Sequence, residues 1–315
     1  GFLILYILLF ILSPLILILY LRKRKGLRFG KLPKYTLKEK RDLLSLGGFG
    51  MLNTMAASLL LYVDTLMVNE YLREMSVGVY VTMYLFGSVV GVPNRSLKLI
   101  SGVVIVEAIK EDDFEKVELI NQKSSQSLLV ISGLIFALIW GNISSITGYL
   151  DPVYSMGTLV VFFIGVAQLF DVYAGMSSEI LSASKYYWLH TPITLLTIGM
   201  AIVTNVYLIP EYGIIGAAIA TSISFGFLHM SRLVSVAVLF RTTTFNQKIL
   251  IGTIIASIII VGTMYIPSVG NIYIQVIYKS AIIMTTYGLL MYVFKVSTDV
   301  NSLVDKYIFN RFKRG

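Results

Sequence analysis

Apolar stretches of about 20 residues recur along this chain, and they constrain its fold more than any other feature of the sequence. Each stretch is long enough to cross a hydrocarbon layer roughly 30 Å thick as a helix. Of the 315 residues, 56% are hydrophobic and 14% are charged, with a mean hydropathy of +0.79. Soluble domains have an apolar fraction of about 45–50%. The sequence therefore predicts an all-α, polytopic helical membrane protein.

Hydropathy divides the chain into about nine predicted transmembrane helices. They are approximately 2–21, 43–68, 77–108, 127–147, 154–182, 189–209, 213–240, 249–267 and 274–294. The first lacks the basic leading region and the cleavage site of a signal peptide, and RKRK follows it as it would follow a stop-transfer anchor. Because an apolar span begins directly after Gly1, we expect the sequence to begin partway through a larger protein.

Basic residues are unevenly distributed between the predicted loops. One set of loops carries 21 of the 26 Lys and Arg; it comprises 22–42, 109–126, 183–188, 241–248 and the tail from 295. The opposite loops carry only Arg73. Because basic loops remain cytoplasmic, the pattern predicts a multi-pass protein of the cell (plasma or inner) membrane with a cytoplasmic C-terminus. It also accounts for the net charge of +9, so no nucleic-acid partner is expected.

Several classes of chemistry have no signature in the sequence. The chain contains no Cys and two His, which excludes a disulfide framework and makes a metal site unexpected. The motifs GxxxxGK[ST], HExxH and GxSxG do not occur. The outer loops are also too short for a catalytic domain. We therefore expect no catalytic residues, no cofactor and no enzymatic activity.

Two cations stand inside the predicted span 77–108, in the stretch VPNRSLKLIS. Arg95 and Lys98 lie one helical turn apart on a stripe with small residues, and Pro93 can kink the helix there. Counted from the outer end, Arg95 lies roughly 27 Å along an ideal helix, in the cytoplasmic half of the bilayer. The alternative is that the side chain snorkels to the inner interface.

Two further predicted spans bring ionisable residues to a similar depth. Asp171 lies roughly 26 Å along the span 154–182, and Arg232 roughly 28 Å along the span 213–240. His229 is on the same stripe as Arg232. Ionisable residues within a membrane usually face the bundle interior or a water-filled cavity, and they mark a substrate or ion path.

Cations are in excess in this predicted cluster, which favours an anionic ligand such as a phosphate or pyrophosphate head group. The candidate binding residues are Arg95, Lys98, Arg232, Asp171 and His229. An ion pair of Asp171 with Arg95 or Lys98, serving the structure alone, is the alternative.

For the remaining charged residues inside or near the spans, the sequence predicts a structural role and no part in binding. Asp64, near the outer end of its span, is expected to pair with Arg73. Glu107, Glu179 and Lys279 are expected to be solvated near the membrane interfaces.

The segment LIPEYGIIGAAIATSISF (Leu208–Phe225) is the most distinctive in the chain. It predicts a helix that stops at Pro210, a turn, and a second helix with a small-residue packing face. With YVDTLMVNEYLREMSVGVYVTMYLF (Tyr62–Phe86) and ILSASKYY (Ile180–Tyr187), it resembles the polysaccharide flippases. These are the Wzx-type, O-antigen transporter-like branch of the multidrug/oligosaccharidyl-lipid/polysaccharide exporter superfamily.

The resemblance covers essentially the whole chain and implies the C-terminal part of a two-lobe, MATE-like fourteen-helix transporter. On that plan, 1–21 is the last helix of the N-terminal lobe, 22–42 a basic cytoplasmic linker between the lobes, 43–240 the six-helix C-terminal lobe, and 241–315 two additional helices with a basic cytoplasmic tail. A topogenic loop that binds anionic lipids is a second interpretation of 22–42.

What the resemblance implies for function is the transfer of a polyprenyl-pyrophosphate-linked oligosaccharide from the cytoplasmic to the outer leaflet, for cell-surface polysaccharide synthesis. Alternating access would move it, with a possible coupling ion or dependence on the membrane potential. In such flippases, cations hold the pyrophosphate, a role carried here to Arg95, with Lys98 and Arg232 as helpers. The alternatives are a cation-coupled multidrug exporter of the same superfamily and, from another class, a membrane enzyme acting on polyprenyl-linked sugars.

Overall fold

The computed structural model of the protein describes residues 2–23, 35–267 and 270–309. Within these ranges every regular element is a helix or a helical turn, so the prediction of an all-α fold is confirmed. The helices are α1 (Phe2–Lys23), α2 (Leu37–Leu72), α3 (Glu74–Ser88), α4 (Val92–Lys110), α5 (Phe114–Tyr149), α6 (Thr158–Ala174), α7 (Ser177–Ala183), α8 (His190–Phe240), α9 (Gln247–Gly262), α10 (Ile272–Val293) and α11 (Thr298–Val304).

Seven helical segments of the described chain are long and apolar enough to cross a membrane. They are Leu37–Leu72, Glu74–Lys110, Phe114–Tyr149, Pro152–Ala174, Tyr187–Phe240, Gln247–Tyr265 and Ile272–Val293. This confirms a polytopic, membrane-embedded helical protein.

The number of segments differs from the predicted nine for two reasons. Of α1, only the segment Phe10–Arg22 is identified as an apolar helix, and it is too short to be one of the seven. The predicted spans 189–209 and 213–240 both fall in α8, which has 51 residues. As a straight helix α8 would be roughly 76 Å long, more than twice the hydrocarbon thickness, so it must reverse direction within the membrane protein.

Helix α8 reverses direction at Gly213, whose backbone has a positive φ and is not helical (φ 60°, ψ −138°). The prediction that the helix stops at Pro210 is wrong, because Pro210 is accommodated inside the helix and the break comes three residues later. Beyond the break, a Cβ on Gly216 would lie 2.0 Å from the carbonyl oxygen of Leu208. The two halves of α8 therefore approach closely, and Ala217 and Ala220 are fully buried, as the small-residue face predicts.

The chain separates into two compact units, Gly1–Gly48 and Phe49–Gly315. In the first unit, the start of α2 is fixed by a capping box: Thr36 N donates to Glu39 Oε2 (2.7 Å), and Glu39 N donates to Thr36 Oγ1 (3.3 Å). Much of the predicted linker 22–42 lies in residues 24–34, outside the described residues.

In the second unit, α5 and α6 occupy the centre of the apolar core. α6 packs against α8, α3 and α5, and α5 also packs against α4, α9 and α10. The core around α5 is continuous with side chains of α9 and α10, because Leu129 and Phe136 share one cluster with Ala256 and Tyr287. The division into 43–240 and 241–315 stays a prediction; α9 and α10 are packed directly against α5.

Two predicted spans are interrupted, and both interruptions lie near the polar residues of interest. A single helical turn, Val89–Gly91, separates α3 from α4 directly before Pro93. The span 154–182, predicted as one helix, breaks at Gly175 (φ 58°), between α6 and α7. A Cβ on Gly175 would lie 2.5 Å from Asn121 Oδ1, which instead accepts a hydrogen bond from Met176 N (2.8 Å).

The close approach in α8 predicts a position-specific effect of added side chains. Gly216→Ala is expected to lower stability by about 1–3 kcal/mol because the new Cβ overlaps a backbone carbonyl that cannot rotate away. Gly199→Ala is the matched control: nothing lies within 4 Å of that position, and removing a helical glycine stabilises by up to about 1 kcal/mol. Thermal unfolding in detergent measures both, and equal midpoints for the two variants would contradict the packing described here.

Candidate functional site

Asp171, near the end of α6, is the centre of a polar cluster between three helices. Lys98 Nζ from α4 lies 2.6 Å from Asp171 Oδ1, and His229 Nδ1 from α8 lies 3.0 Å from the same oxygen. The side-chain amide of Asn94 donates a hydrogen bond to Asp171 Oδ2. Both oxygens of the carboxylate are thus engaged, and its charge is balanced by Lys98. We call Asn94, Lys98, Asp171 and His229 the Asp171 cluster.

Local sequence explains how these side chains converge. Asn94 and Lys98 are four residues apart, so they project from the same face of α4. A Cβ on Gly91 would lie 2.1 Å from Gln168 Oε1, so the chain packs closely against a side chain of α6 one turn from Asp171. The cluster is enclosed by protein: the side chains of Lys98, Asp171 and His229 are 17%, 20% and 11% exposed.

A second group of polar side chains lies around Arg232, one turn beyond His229 on α8. Arg232 Nη2 lies 3.5 Å from Thr194 Oγ1, and its guanidinium interacts electrostatically with Asp171 and Glu179. His190 Nε2 lies 3.0 Å from Ser182 Oγ. This group extends the Asp171 cluster into a continuous polar region.

Several polar atoms in this region have no hydrogen-bond partner in the described chain. They are Asn94 Oδ1, Glu179 Oε2, His190 Nδ1 and Arg232 Nε. Buried polar atoms are almost always hydrogen-bonded to protein or water. The region therefore has unused donors and acceptors, which a water molecule or a polar ligand can satisfy.

The structure brings three of the five candidate residues together and places a fourth beside them. Lys98, Asp171 and His229 touch, and Arg232 borders them. Arg95 does not join: its side chain is exposed, and it has no hydrogen bond or ion pair within the described residues. The alternative ion pair of Asp171 is formed with Lys98, and the role of all five residues in binding stays a prediction.

The charge of the region differs from the expected cationic excess. Glu179 was expected to be solvated, but it interacts electrostatically with Lys98, Asp171 and Arg232, and its Oε2 is buried. Two carboxylates, Asp171 and Glu179, thus offset the permanent charges of Lys98 and Arg232. The uncompensated positive charge is that of Arg95.

Asp64 forms a separate polar cluster, and its expected pairing with Arg73 is wrong. The residue is 3% exposed. Asn205 Nδ2 donates to Asp64 Oδ1 and Thr221 Oγ1 donates to Asp64 Oδ2, both at 2.6 Å. The hydroxyl of Tyr80 lies 3.3 Å from Thr221 Oγ1. Asp64 is therefore a buried carboxylate held by neutral groups, with no ion pair among the described residues. We call these four residues the Asp64 cluster.

Sequence reasoning missed the neutral members of both clusters. Asn94 and Asn205 are fully buried inside predicted spans, and an intramembrane asparagine was a usable signal because its amide must find partners. Among the described residues, no group of three His, Asp or Glu side chains could hold a metal ion.

The fold and the two clusters define a class: a polytopic helical membrane protein with ionisable groups buried between its helices. A scan against models of protein families gives no match, and a search of curated proteins gives none either. The resemblance to polysaccharide flippases accordingly stays a prediction from the sequence.

The Asp171 cluster predicts that its ion pair matters far more for folding than a surface ion pair does. Asp171→Ala leaves Lys98 buried without a partner and is expected to cost about 3–5 kcal/mol. The matched control is Asp299→Ala, because Asp299 pairs with Lys123 at 3.7 Å with both side chains about half exposed. That change is expected to cost no more than about 1 kcal/mol.

The free energy of unfolding in detergent measures this difference. The double variant Lys98→Met/Asp171→Leu is expected to recover part of the loss, since an apolar pair of similar size needs no charge compensation. Equal losses in Asp171→Ala and Asp299→Ala would mean that the buried pair does not stabilise the fold.

Proposed function

We propose that the protein is the C-terminal part of a two-lobe transporter of the multidrug/oligosaccharidyl-lipid/polysaccharide exporter superfamily. It would flip a polyprenyl-pyrophosphate-linked oligosaccharide from the cytoplasmic to the outer leaflet for cell-surface polysaccharide synthesis. The observation that carries this proposal is the polar region of Lys98, Asp171, His229 and Arg232, enclosed between helices that are apolar on their outer faces. Such a region is typical of a substrate path through a membrane.

The pyrophosphate is the part of this substrate that the site would recognise. Arg95 carries a full positive charge with no partner in the described chain, four residues from Leu99 on an exposed apolar surface. A guanidinium binds phosphate oxygens in a bidentate manner. Arg95 would therefore meet the pyrophosphate first.

Lys98 would take part only after its bond to Asp171 is exchanged. A phosphate oxygen that approaches Lys98 Nζ competes with Asp171 Oδ1, which is now 2.6 Å away. Asp171 keeps hydrogen bonds from Asn94 and His229 during such an exchange, so it is not left without donors. The same carboxylate can later displace the phosphate from Lys98, which would favour release of the lipid.

The division of roles between Arg95 and Lys98 predicts different phenotypes. Arg95→Ala is expected to leave folding unchanged, because it removes no hydrogen bond or ion pair within the described residues, and to weaken pyrophosphate binding. A hydrogen bond to a charged group contributes about 1.5–3 kcal/mol, which corresponds to about 10- to 100-fold in affinity. The measurement is surface polysaccharide in the source organism carrying each substitution at its own locus, normalised to the amount of protein in the membrane.

Lys185→Ala is the matched control, because Lys185 is an exposed cation that lies over the ring of Tyr186 and contacts neither cluster. Arg95→Lys retains the charge without the bidentate geometry and is expected to be intermediate. Wild-type polysaccharide in both Arg95→Ala and Lys98→Ala, at normal protein levels, would exclude the pyrophosphate role.

The Asp64 cluster favours coupling to a cation and keeps the second candidate, a cation-coupled multidrug exporter, in consideration. A carboxylate buried without a cation is costly, and it is relieved by a proton or by a small monovalent cation. A cation would bind to the carboxylate of Asp64 and the hydroxyl oxygens near it, and the amide of Asn205, which now donates to Asp64, would have to turn its oxygen toward the ion. Lipid-linked sugar accumulating in the cytoplasmic leaflet of the null strain would identify the flippase, whereas drug sensitivity alone would identify the exporter.

Coupling through Asp64 predicts that cations stabilise the wild-type protein. A ligand that binds only the folded state raises the free energy of unfolding, by about 2.7 kcal/mol at 100 times its dissociation constant, and the unfolding midpoint rises with it. We expect the thermal midpoint in detergent to rise with Na⁺ at constant ionic strength, or with falling pH if a proton is the ligand. Asp64→Asn is expected to abolish the dependence, while Asp299→Asn, at an exposed carboxylate, retains it. An identical dependence in both variants would exclude Asp64 as the cation site.

A further inference from the structure

Lys279 is a buried cation that neither cluster contains. It was expected to be solvated near an interface, but it is 5% exposed, so that expectation is wrong. It lies on the buried stripe of α10, which also contains Ile283, Tyr287 and Met291. Within the described residues it has no hydrogen bond and no ion pair. Lys279 thus carries a positive charge that has no counterion among the described residues, on a side chain that protein covers almost completely.

The pairing of α10 with α5 fixes where this charge lies. Asn142 Nδ2 on α5 donates to Ser280 Oγ (3.1 Å), and the rings of Tyr149 and Tyr273 are 6.4 Å apart. The two helices are therefore antiparallel, and Lys279, next to Ser280, is at the level of Asn142. Side chains of an α-helix point back toward its N-terminus. The Lys279 side chain accordingly extends from its Cα toward the end of α10 where Tyr273 lies.

A groove of about 420 Å³ opens between α5 and α10 at that end of the pair. Its walls are apolar apart from Ser145 and the two tyrosines, Tyr149 and Tyr273. Ser145 is 5% exposed, and its Oγ has no hydrogen-bond partner in the described chain. Asn142 Oδ1, one turn deeper on α5, is likewise unpartnered. The groove thus combines an apolar wall with unsatisfied polar atoms beside an uncompensated cation.

We propose that this groove binds an anionic phospholipid from the leaflet at the face where α5 ends and α10 begins. An acyl chain would lie along Ile146, Leu150 and Ile277, and the phosphate would accept hydrogen bonds from Lys279, which lies one helical turn from the lining residue Val276. The phosphate supplies the counterion that the protein itself does not, and burial makes an unpaired cation costly. Tyrosines at the rim are typical of the membrane–water interface, where a lipid head group lies.

A net anionic lipid fits this site better than a zwitterionic one. The quaternary ammonium of phosphatidylcholine would bring a second positive charge next to Lys279, whereas the glycerol of phosphatidylglycerol adds none. In the predicted orientation the leaflet concerned is the outer one. This proposal concerns a lipid bound to the transporter's periphery, and it does not depend on the proposed substrate.

Native mass spectrometry of the purified chain in detergent, titrated separately with phosphatidylglycerol and phosphatidylcholine, tests the proposal. For wild type we expect one phosphatidylglycerol to bind at least tenfold more tightly than phosphatidylcholine. Lys279→Met is expected to remove that preference. Lys185→Met is the matched control, because it removes the same charge at an exposed position outside the groove and is expected to retain the preference.

A second variant covers the case in which Lys279→Met fails to fold. Ile277→Trp enlarges a side chain that is 71% exposed at the groove, so it fills the groove without changing any charge. This variant is expected to bind the tightly held phosphatidylglycerol more weakly than the wild type does, while its unfolding midpoint equals that of the wild type. Unchanged binding in Ile277→Trp would overturn the proposal, as would equal affinity of the wild type for the two lipids.

Discussion

The carboxylate of Asp171 is the group on which the arrangement of α4, α6 and α8 depends. An ionised carboxylate in a low-dielectric interior costs several kcal/mol unless a cation and hydrogen-bond donors accompany it. Here the cation comes from α4 and the imidazole from α8. None of these three helices can rotate or slide without breaking one of these contacts. Together with the interactions of Arg232 with Asp171 and Glu179, these contacts fix the register of helices whose apolar contacts tolerate small displacements.

Two departures from regular α-helix lie close to this point. The helical turn Val89–Gly91 comes directly before α4, which carries Asn94. On the other side, the chain turns at Gly175, and Val172 O accepts a hydrogen bond from Gly175 N (3.1 Å). Ser125 Oγ also donates to Val172 O (2.8 Å), and Thr244 Oγ1 donates to Tyr173 O (2.7 Å). Side chains from α5 and from the loop after α8 thus add hydrogen bonds to the last carbonyls of α6, as a membrane interior requires.

The sequence was sufficient to predict the helical class and the convergence of Lys98, Asp171 and His229, because both follow from apolar length and from the rise of a helix. It failed for Arg95, because Asn94, four residues before Lys98, is the residue that shares with it the face of α4 turned toward Asp171. Asp64 was assigned to Arg73 because opposite charges attract. Its actual donors, Asn205 and Thr221, are neutral and come from a distant part of the chain, so only the tertiary structure identifies them. The turn in α8 was expected over the residues EYG after Pro210, and the break falls on the last of them, Gly213, because a left-handed φ strongly favours glycine; only the end of the helix at Pro210 was wrong.

The two clusters are joined by one helix face. Thr221, Phe225 and His229 are spaced by four residues on the second half of α8, so they form a single stripe. Thr221 contacts Asp64 and His229 contacts Asp171, roughly 12 Å apart along the helix. Between them, the ring of Phe225 lies 6.0 Å from that of His229. A cation or proton at Asp64 would weaken the pull of that carboxylate on Thr221, and any resulting shift of this half of α8 must also move His229 relative to Asp171. Because such a shift would have to alter a contact at both clusters, the shared stripe would link the charge of Asp64 to the geometry of Asp171.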